Sequence, residues 1–138
     1  MSATFEEIIK MVKTLPPKKL SVAVAQDGRV LEAVSKARDL KIAVPTLFGN
    51  EKMIRDIAAE RGINIDGMEI VNEEDDEQAA LKAVRMVHDG DADMYMKGEL
   101  PTKMFLKSVL NKEVGLRTGK TLSHVCIFEI PGIDRLLF

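Results

Sequence analysis

Short runs of β-branched and apolar residues alternate along this chain with stretches whose apolar residues recur every three or four positions. That alternation restricts the fold more than any other feature. Leu20 to Ala25 (LSVAVA) is the clearest run. Val22, Ala23 and Val24 leave it no polar face, which predicts a strand buried on both sides. Gln26-Asp27-Gly28 breaks the run, and Val30, Leu31, Val34, Ala37 and Arg38 resume helical spacing to about Asp39. Ile42 to Phe48 is a second strand. Pro45 within it predicts a strand that is short, bulged or at an edge. Gly49-Asn50 closes it, Asn50 is placed to cap a helix carrying Ile54, Ile57 and Ala58, and Gly62 stops that helix.

The second half repeats the pattern. Met68 to Val71 reads as a third strand, and Ala79, Ala80, Ala83, Val84 and Val87 as a helical stripe ended by Gly90. Met94 to Met96 is a brief fourth strand, followed by Lys97-Gly98 and a helix from about Thr102 to Leu110. Leu122 to Ile130 (LSHVCIFEI) reads as a fifth strand before the turn at Pro131-Gly132. Ahead of the first strand, Phe5, Ile8, Ile9 and Val12 fall at helical spacing. Thr4 and Glu7 form a capping box there, and Pro16-Pro17 ends the helix. Strand and helix alternating at this spacing give right-handed βαβ units: an α/β fold with a parallel sheet and helices on both faces. Ligands of such sheets lie beyond the carboxyl ends of the strands, so the loops of interest are 26–29, 49–50, 72–75 and above all 97–102.

The 138 residues amount to one domain able to bury about 68–70% of its unfolded surface. Twenty Lys and Arg against 22 Asp and Glu leave a net charge of −2, without the basic excess that nucleic acid or an anionic membrane demands. No apolar run approaches the roughly 20 residues of a membrane span. Glu6, Glu7 and Lys10 interrupt the place where a signal peptide needs its apolar core. A single cysteine, Cys126, precludes an intrachain disulfide and a cysteine zinc cluster. The chain reads as soluble and cytoplasmic.

Lys97-Gly98 lies between a strand and a helix. There a residue without Cβ lets a ligand approach the backbone, the next helix offers free N–H groups, and the lysine adds charge. This suits phosphate, although a plain strand–helix turn explains it as well. Leu116-Arg117-Thr118-Gly119-Lys120 offers a planar guanidinium for phosphate, or is simply a solvated loop. Ser123 and His124 are adjacent in a strand and so point to opposite faces. They make no nucleophile–base dyad, but one of them can reach a ligand at the strand's end. His88 reads as a helix C-terminal cap. The acidic run Glu73–Glu77 reads as helix-terminal capping, since it lacks calcium-loop spacing. Two distant histidines make no metal site, and no metal is expected. Cys126 reads as buried and inert, and the eight methionines as core filler.

At Lys97-Gly98, and through Phe105 to Lys120 (FLKSVLNKEVGLRTGK), the chain resembles the phosphate acetyl- and butyryltransferases, and the butyryltransferases most. Ala92-Asp93-Met94, Leu122-Ser123-His124-Val125, Asp134-Arg135-Leu136-Leu137-Phe138 and Val24-Ala25-Gln26-Asp27 fit the same pattern. The resemblance implies an isocitrate/isopropylmalate dehydrogenase-like architecture of two domains flanking a cleft. It also implies an acyltransferase moving a short-chain (butyryl) group between coenzyme A and inorganic phosphate, which are substrates; no cofactor is implied. The implied mechanism is direct attack between the coenzyme A thiolate and the acyl phosphate carbonyl, without an acyl-enzyme. The resemblance places Lys97, Gly98, Thr102, Arg117, Ser123 and His124 at the substrates.

Family members usually carry Asn or His where this chain has Pro101, and Arg where it has Lys107, which ranks Lys107 below Arg117 as a ligand. They also have about twice as many residues. Residues 1–138 are thus expected to be the N-terminal α/β domain of a phosphate acyltransferase, with the catalytic groups in the family's C-terminal half and activity of this chain alone doubtful. The alternatives are a non-catalytic phosphate- or nucleotide-binding module and an inactive structural fragment. An apolar end at Leu136-Leu137-Phe138 predicts a homo-oligomer rather than a monomer, with no nucleic acid and no membrane as partner.

Overall fold

The run beginning near Leu20 becomes the strand around which the sheet is built. The structure, a computed structural model, describes residues 4–138. In chain order its elements are α1 (Phe5–Val12), β1 (Lys18–Ala23), α2 (Gly28–Asp39), β2 (Ala43–Gly49), α3 (Glu51–Arg61), β3 (Glu69–Asn72), α4 (Asp76–His88), β4 (Met94–Lys97) and α5 (Thr102–Val109). The four strands pair in parallel in the order β3-β2-β1-β4.

Strand alternation divides β1 between two cores. Leu20 and Val22 join Leu47, Leu31, Val34, Ile54 and Ala58 under α2 and α3. On the other face Ala23 joins Phe48, Ala79, Ala80, Ala83 and Leu100 under α4. Helices therefore cover both faces, as the unbroken apolar run demanded. Fully burying a side chain such as Leu31 or Ile54 contributes about 1.5–3 kcal/mol. The run does contain one polar residue, Ser21. It is fully buried and donates its hydroxyl to the Ala83 carbonyl of α4 at 2.7 Å.

The helix borders follow their caps. Asp27 accepts from the Val30 N–H, so α2 begins at Gly28, two residues before the apolar stripe. Asn50 caps α3, and Gly62 ends it in the left-handed region at φ 64°, where a side chain is disfavoured. Thr4 and Glu7 form the capping box of α1.

Several expectations are corrected. Pro45 does not put β2 at an edge, because β2 lies between β3 and β1. The Ile42 and Phe48 carbonyls accept from Lys18 and Ala25, while the Gly49 carbonyl accepts from Glu73 after β3. Alternate residues thus face alternate neighbours, and Pro45 faces β3. That ladder begins only at Thr46 opposite Glu69, so the missing N–H costs no ladder bond.

The fifth strand does not form. Leu122 to Ile130 is irregular apart from one antiparallel bridge, Phe128 to Leu137, and Cys126 is exposed rather than buried. A strand requires a neighbouring backbone and cover for its faces, and no described element supplies them there. Ser123 and His124 therefore do not stand at a strand's end. Met68 is buried, but Met11, Met53 and Met94 are exposed, so the methionines are not uniformly core. Leu136 is buried and Leu137 partly so, which leaves Phe138 exposed at the end.

β4 is held against β1 beyond the last paired residues. The Gly98 N–H donates to the Ala23 carbonyl at 2.8 Å, and the Glu99 N–H to the Val24 carbonyl at 2.7 Å. A Cβ at position 98 would stand 2.5 Å from the Ala23 oxygen and closer still to that of Val24. Gly98→Ala is therefore expected to destabilise the fold by about 1–3 kcal/mol, the usual cost of overpacking against atoms that cannot withdraw. Urea denaturation measures it. An unchanged midpoint would mean that the two loops can separate freely.

Candidate functional site

From β1 the chain steps outward to β2 and β3, and α4 then carries it back across to β4 on the other side of β1. The direction of progress reverses between β1 and β4. In open α/β sheets the crevice outside the carboxyl ends of two such strands is where ligands bind. Here that switch point falls at the loops of residues 24–27 and 98–101. Val24 turns β1 out of the sheet at φ 57°, an unusual conformation for a β-branched residue, while its side chain stays in the core. Gln26 then bridges the neighbouring loops. Its Oε1 accepts from the Asn50 N–H at 3.3 Å, and its Nε2 donates to Asp76 Oδ1 at 3.4 Å.

Four helices start at this edge, and three carry a side-chain cap at their N-termini. Asp27 caps α2 through Val30 N–H at 2.9 Å, Asn50 caps α3 through Met53 N–H at 3.0 Å, and Asp75 caps α4 through Gln78 N–H at 2.8 Å. Asn72 adds a further acceptor for Glu51 N–H of α3 at 3.0 Å. α5 differs: Pro101 stands at its N-cap with no side-chain hydrogen bond, so the amides of its first turn, from Thr102, are uncapped. Uncapped N–H groups with the helix dipole behind them accept an anion. Lys97 ends β4 five residues before Thr102 and is exposed, without an ion-pair partner among the described residues.

The role expected of Gly98 changes. Its N–H and that of Glu99 are spent on β1, and the Leu100 N–H on the Gly98 carbonyl, so these amides are not available to a ligand. Gly98 holds the crevice closed at its base; the open donors are those of α5. Arg117, Ser123 and His124 lie in the exposed chain after α5, and no hydrogen bond or ion pair joins them to Lys97 or Thr102 among the described residues. His124 stands beside Cys126, with Nε2 3.5 Å from Sγ.

The acidic run is structural, as its place before a helix implied. Asp75 caps, Asp76 meets Gln26, Glu77 pairs with Lys107, and Glu73 pairs with Lys82. The Lys82 ammonium, aided by the Asp75 N–H, holds the Glu73 carboxyl below its ordinary range. The Lys107–Glu77 pair is solvent-exposed. No cluster of His, Cys, Asp and Glu suited to a metal occurs among the described residues. His88 does not close its own helix; its Nδ1 reaches the Gly115 carbonyl at 2.8 Å and ties α4 to the loop before Arg117.

Sequence reasoning missed Tyr95 and Ser108, which position α5. Their hydroxyls lie 2.8 Å apart, Ser108 Oγ donates to the Phe105 carbonyl at 2.6 Å, and the Tyr95 ring stacks on Phe105 with centroids 4.6 Å apart. Burial raises the Tyr95 pKa and the Ser108 hydrogen bond opposes that rise, so the hydroxyl stays protonated and available as a donor. A tyrosine in a four-residue strand gives no sequence signal of this lock, since its partner lies on the following helix.

The family described as "Phosphate acetyl/butaryl transferase" matches residues 3–82 and 77–138. The chain is 54% identical over 138 residues to the phosphate butyryltransferase of Clostridium acetobutylicum and 49% identical to that of Clostridium beijerinckii, matching all of this chain and 46% of each relative. A phosphate acetyltransferase of Thermotoga maritima is 37% identical over 132 residues, covering 96% of this chain and 44% of its own. The fold is shared with the EutD phosphotransacetylase from Staphylococcus aureus at a TM-score of 0.63 and 17% identity, over 81% of this chain and 44% of that one. The chain spans about half the length of the curated relatives it matches. Matched from end to end, it belongs to the phosphate acetyl/butyryltransferase family.

Proposed function

We propose that this chain is the N-terminal portion of an acyltransferase that moves a butyryl group between coenzyme A and inorganic phosphate, and that it supplies the phosphate side of the cleft. The observation that carries this reading is the switch-point crevice, where Lys97 leads into the one helix of that edge without a side-chain cap. The higher identity to relatives named phosphate butyryltransferase than to the one named phosphate acetyltransferase favours butyryl over acetyl.

In the reaction the coenzyme A thiolate attacks the carbonyl carbon of butyryl phosphate. A carbon–sulfur bond forms, the carbon–oxygen bond to phosphate breaks, and phosphate leaves as its anion. The reverse direction makes butyryl phosphate. Lys97 and the first-turn amides of α5 neutralise the phosphate, with the Thr102 hydroxyl beside them. Charge stabilisation of this kind is commonly the largest catalytic contribution. The family resemblance adds Arg117, Ser123 and His124 to the substrate-binding set. No helix of the described residues is long and apolar enough to cross a membrane, and the exposed thiol of Cys126 fits a reducing, cytoplasmic setting.

Phosphate titrated into the chain should move the amide resonances of Lys97 and Thr102 to Met104, and Lys97→Ala should abolish those shifts. No shift there at millimolar phosphate, or shifts confined to other loops, would remove the anion site. Turnover separates the enzyme from a phosphate-binding module. The exposure of Arg117, Ser123 and His124 favours inactivity of the chain by itself. With butyryl-CoA, phosphate and a thiol reagent, the 138 residues alone should release no thiol. A chimera continued by the unmatched part of the Clostridium acetobutylicum relative should turn over within the usual range of about 1–10³ s⁻¹. An inactive chimera that still binds phosphate would favour the module.

A further inference from the structure

The surface is hollowed beside the first turn of α5. A cavity of about 290 Å³ is lined by Pro101, Lys103, Met104 and Lys107, with Glu77 of α4 as the remaining wall. A smaller hollow of about 40 Å³ lies between α4 and α5, bounded in part by Ala80, Leu81 and Ser108. Glu77, Met104 and Lys107 border both, so the two hollows meet there.

The polar groups around these hollows already have partners. Glu77 pairs with Lys107, and the Ser108 hydroxyl is held by Tyr95 and the Phe105 carbonyl. Asn111, at the far end of the smaller hollow, accepts from the Glu113 and Val114 amides. No buried side-chain nitrogen or oxygen among the described residues lacks a partner. What an occupant meets is therefore mostly carbon: the Pro101 ring, the Met104 thioether, Ala80, Leu81 and the lysine stems. An apolar hollow against an uncapped helix N-terminus suits a molecule with an anion at one end and a short hydrocarbon at the other. In an acyl phosphate a single bridging oxygen joins the two.

We propose that the hollow between α4 and α5 holds the alkyl chain of the acyl group, and that Met104 sets the preferred chain length. The inference rests on the reading of α5 as the phosphate seat and names the substrate that the seat serves. One water-sized group needs about 10–15 Å³. The inner hollow of about 40 Å³ therefore has room for roughly three. Butyryl carries three carbons beyond its carbonyl and acetyl only one, so butyryl fills the hollow and acetyl leaves it largely empty. Burying two further methylenes corresponds to about tenfold in affinity. Met104, unbranched and bordering both hollows, can change rotamer to admit the chain.

Phosphate, acetyl phosphate, butyryl phosphate and coenzyme A titrated separately into the 138-residue chain test this, with the Met104 methyl and Thr102 amide resonances followed. Phosphate and both acyl phosphates should move the Thr102 amide. Only butyryl phosphate should also move the Met104 methyl, and it should bind about tenfold more tightly than acetyl phosphate. Met104→Gln, similar in length but polar, should bring the two acyl phosphates to equal affinity, whereas Met104→Leu should keep the preference. Circular dichroism checks the fold of each variant, and the wild-type comparison decides even where a variant fails to fold. Equal wild-type affinities, or a Met104 methyl unmoved at saturating butyryl phosphate, would overturn the acyl hollow while the phosphate seat stands. A methyl that answers coenzyme A but not butyryl phosphate would give the hollow to the pantetheine arm instead. A Thr102 amide unmoved by phosphate and by both acyl phosphates would remove the seat, and the acyl hollow with it.

Discussion

The carboxyl edge of this sheet depends on β4 remaining within hydrogen-bond reach of β1 after both strands have ended. The two bonds from the Gly98 and Glu99 amides to the Ala23 and Val24 carbonyls achieve this, and they need a bare backbone at 98 together with a left-handed turn at Val24. Strain at Val24 of order 1–3 kcal/mol persists only because the surroundings over-determine it. Here its side chain is locked in the core and its carbonyl is engaged by Glu99. The turn fixes where Gln26 stands, and Gln26 in turn ties Asn50 to Asp76. The start of α5 is set from the other side by Tyr95, Ser108 and Phe105.

Much of this is legible in the sequence alone, because it rests on short-range chemistry. Asn50 and Gly62 bound a helix by their own hydrogen-bonding and backbone preferences, and the structure begins and ends α3 at those residues. The acidic run before α4 was readable as capping for the same reason. The parallel sheet followed from the burial of β1 on both faces. What remained hidden required tertiary information. That Pro45 could sit inside the sheet depended on where β3 begins to pair, which no local pattern encodes.

Leu122–Ile130 failed in the opposite direction. Its composition is as strand-like as that of β1, but β-propensity is largely a statement about fitting a half-buried pleated surface. β1 has neighbours on both sides and helices on both faces. The later segment has neither among the described residues, so the same kind of sequence stays irregular and Cys126, buried by expectation, is exposed. The candidate site divides along the same line. Lys97, Gly98 and Thr102 sit on elements the chain packs by itself, whereas Arg117, Ser123 and His124 ride on chain that it does not.

The difference between α5 and its three neighbours is an energetic choice. A side-chain cap contributes about 0.5–2 kcal/mol to a helix, and Asp27, Asn50 and Asp75 each supply one at this edge. A carboxylate or amide oxygen at position 101 would stabilise α5 in the same way. It would also occupy the first-turn amides and, if charged, repel an anion from them. Pro101 fixes the entry of the chain into α5 while offering no acceptor, so the donors stay open. In the proposed function an anion would take the place of the missing cap and stabilise the helix it binds. On the proposed reading, local stability forgone at this one helix terminus would be recovered as affinity for the anion, whereas Asp27, Asn50 and Asp75 already place an acceptor oxygen at the neighbouring termini.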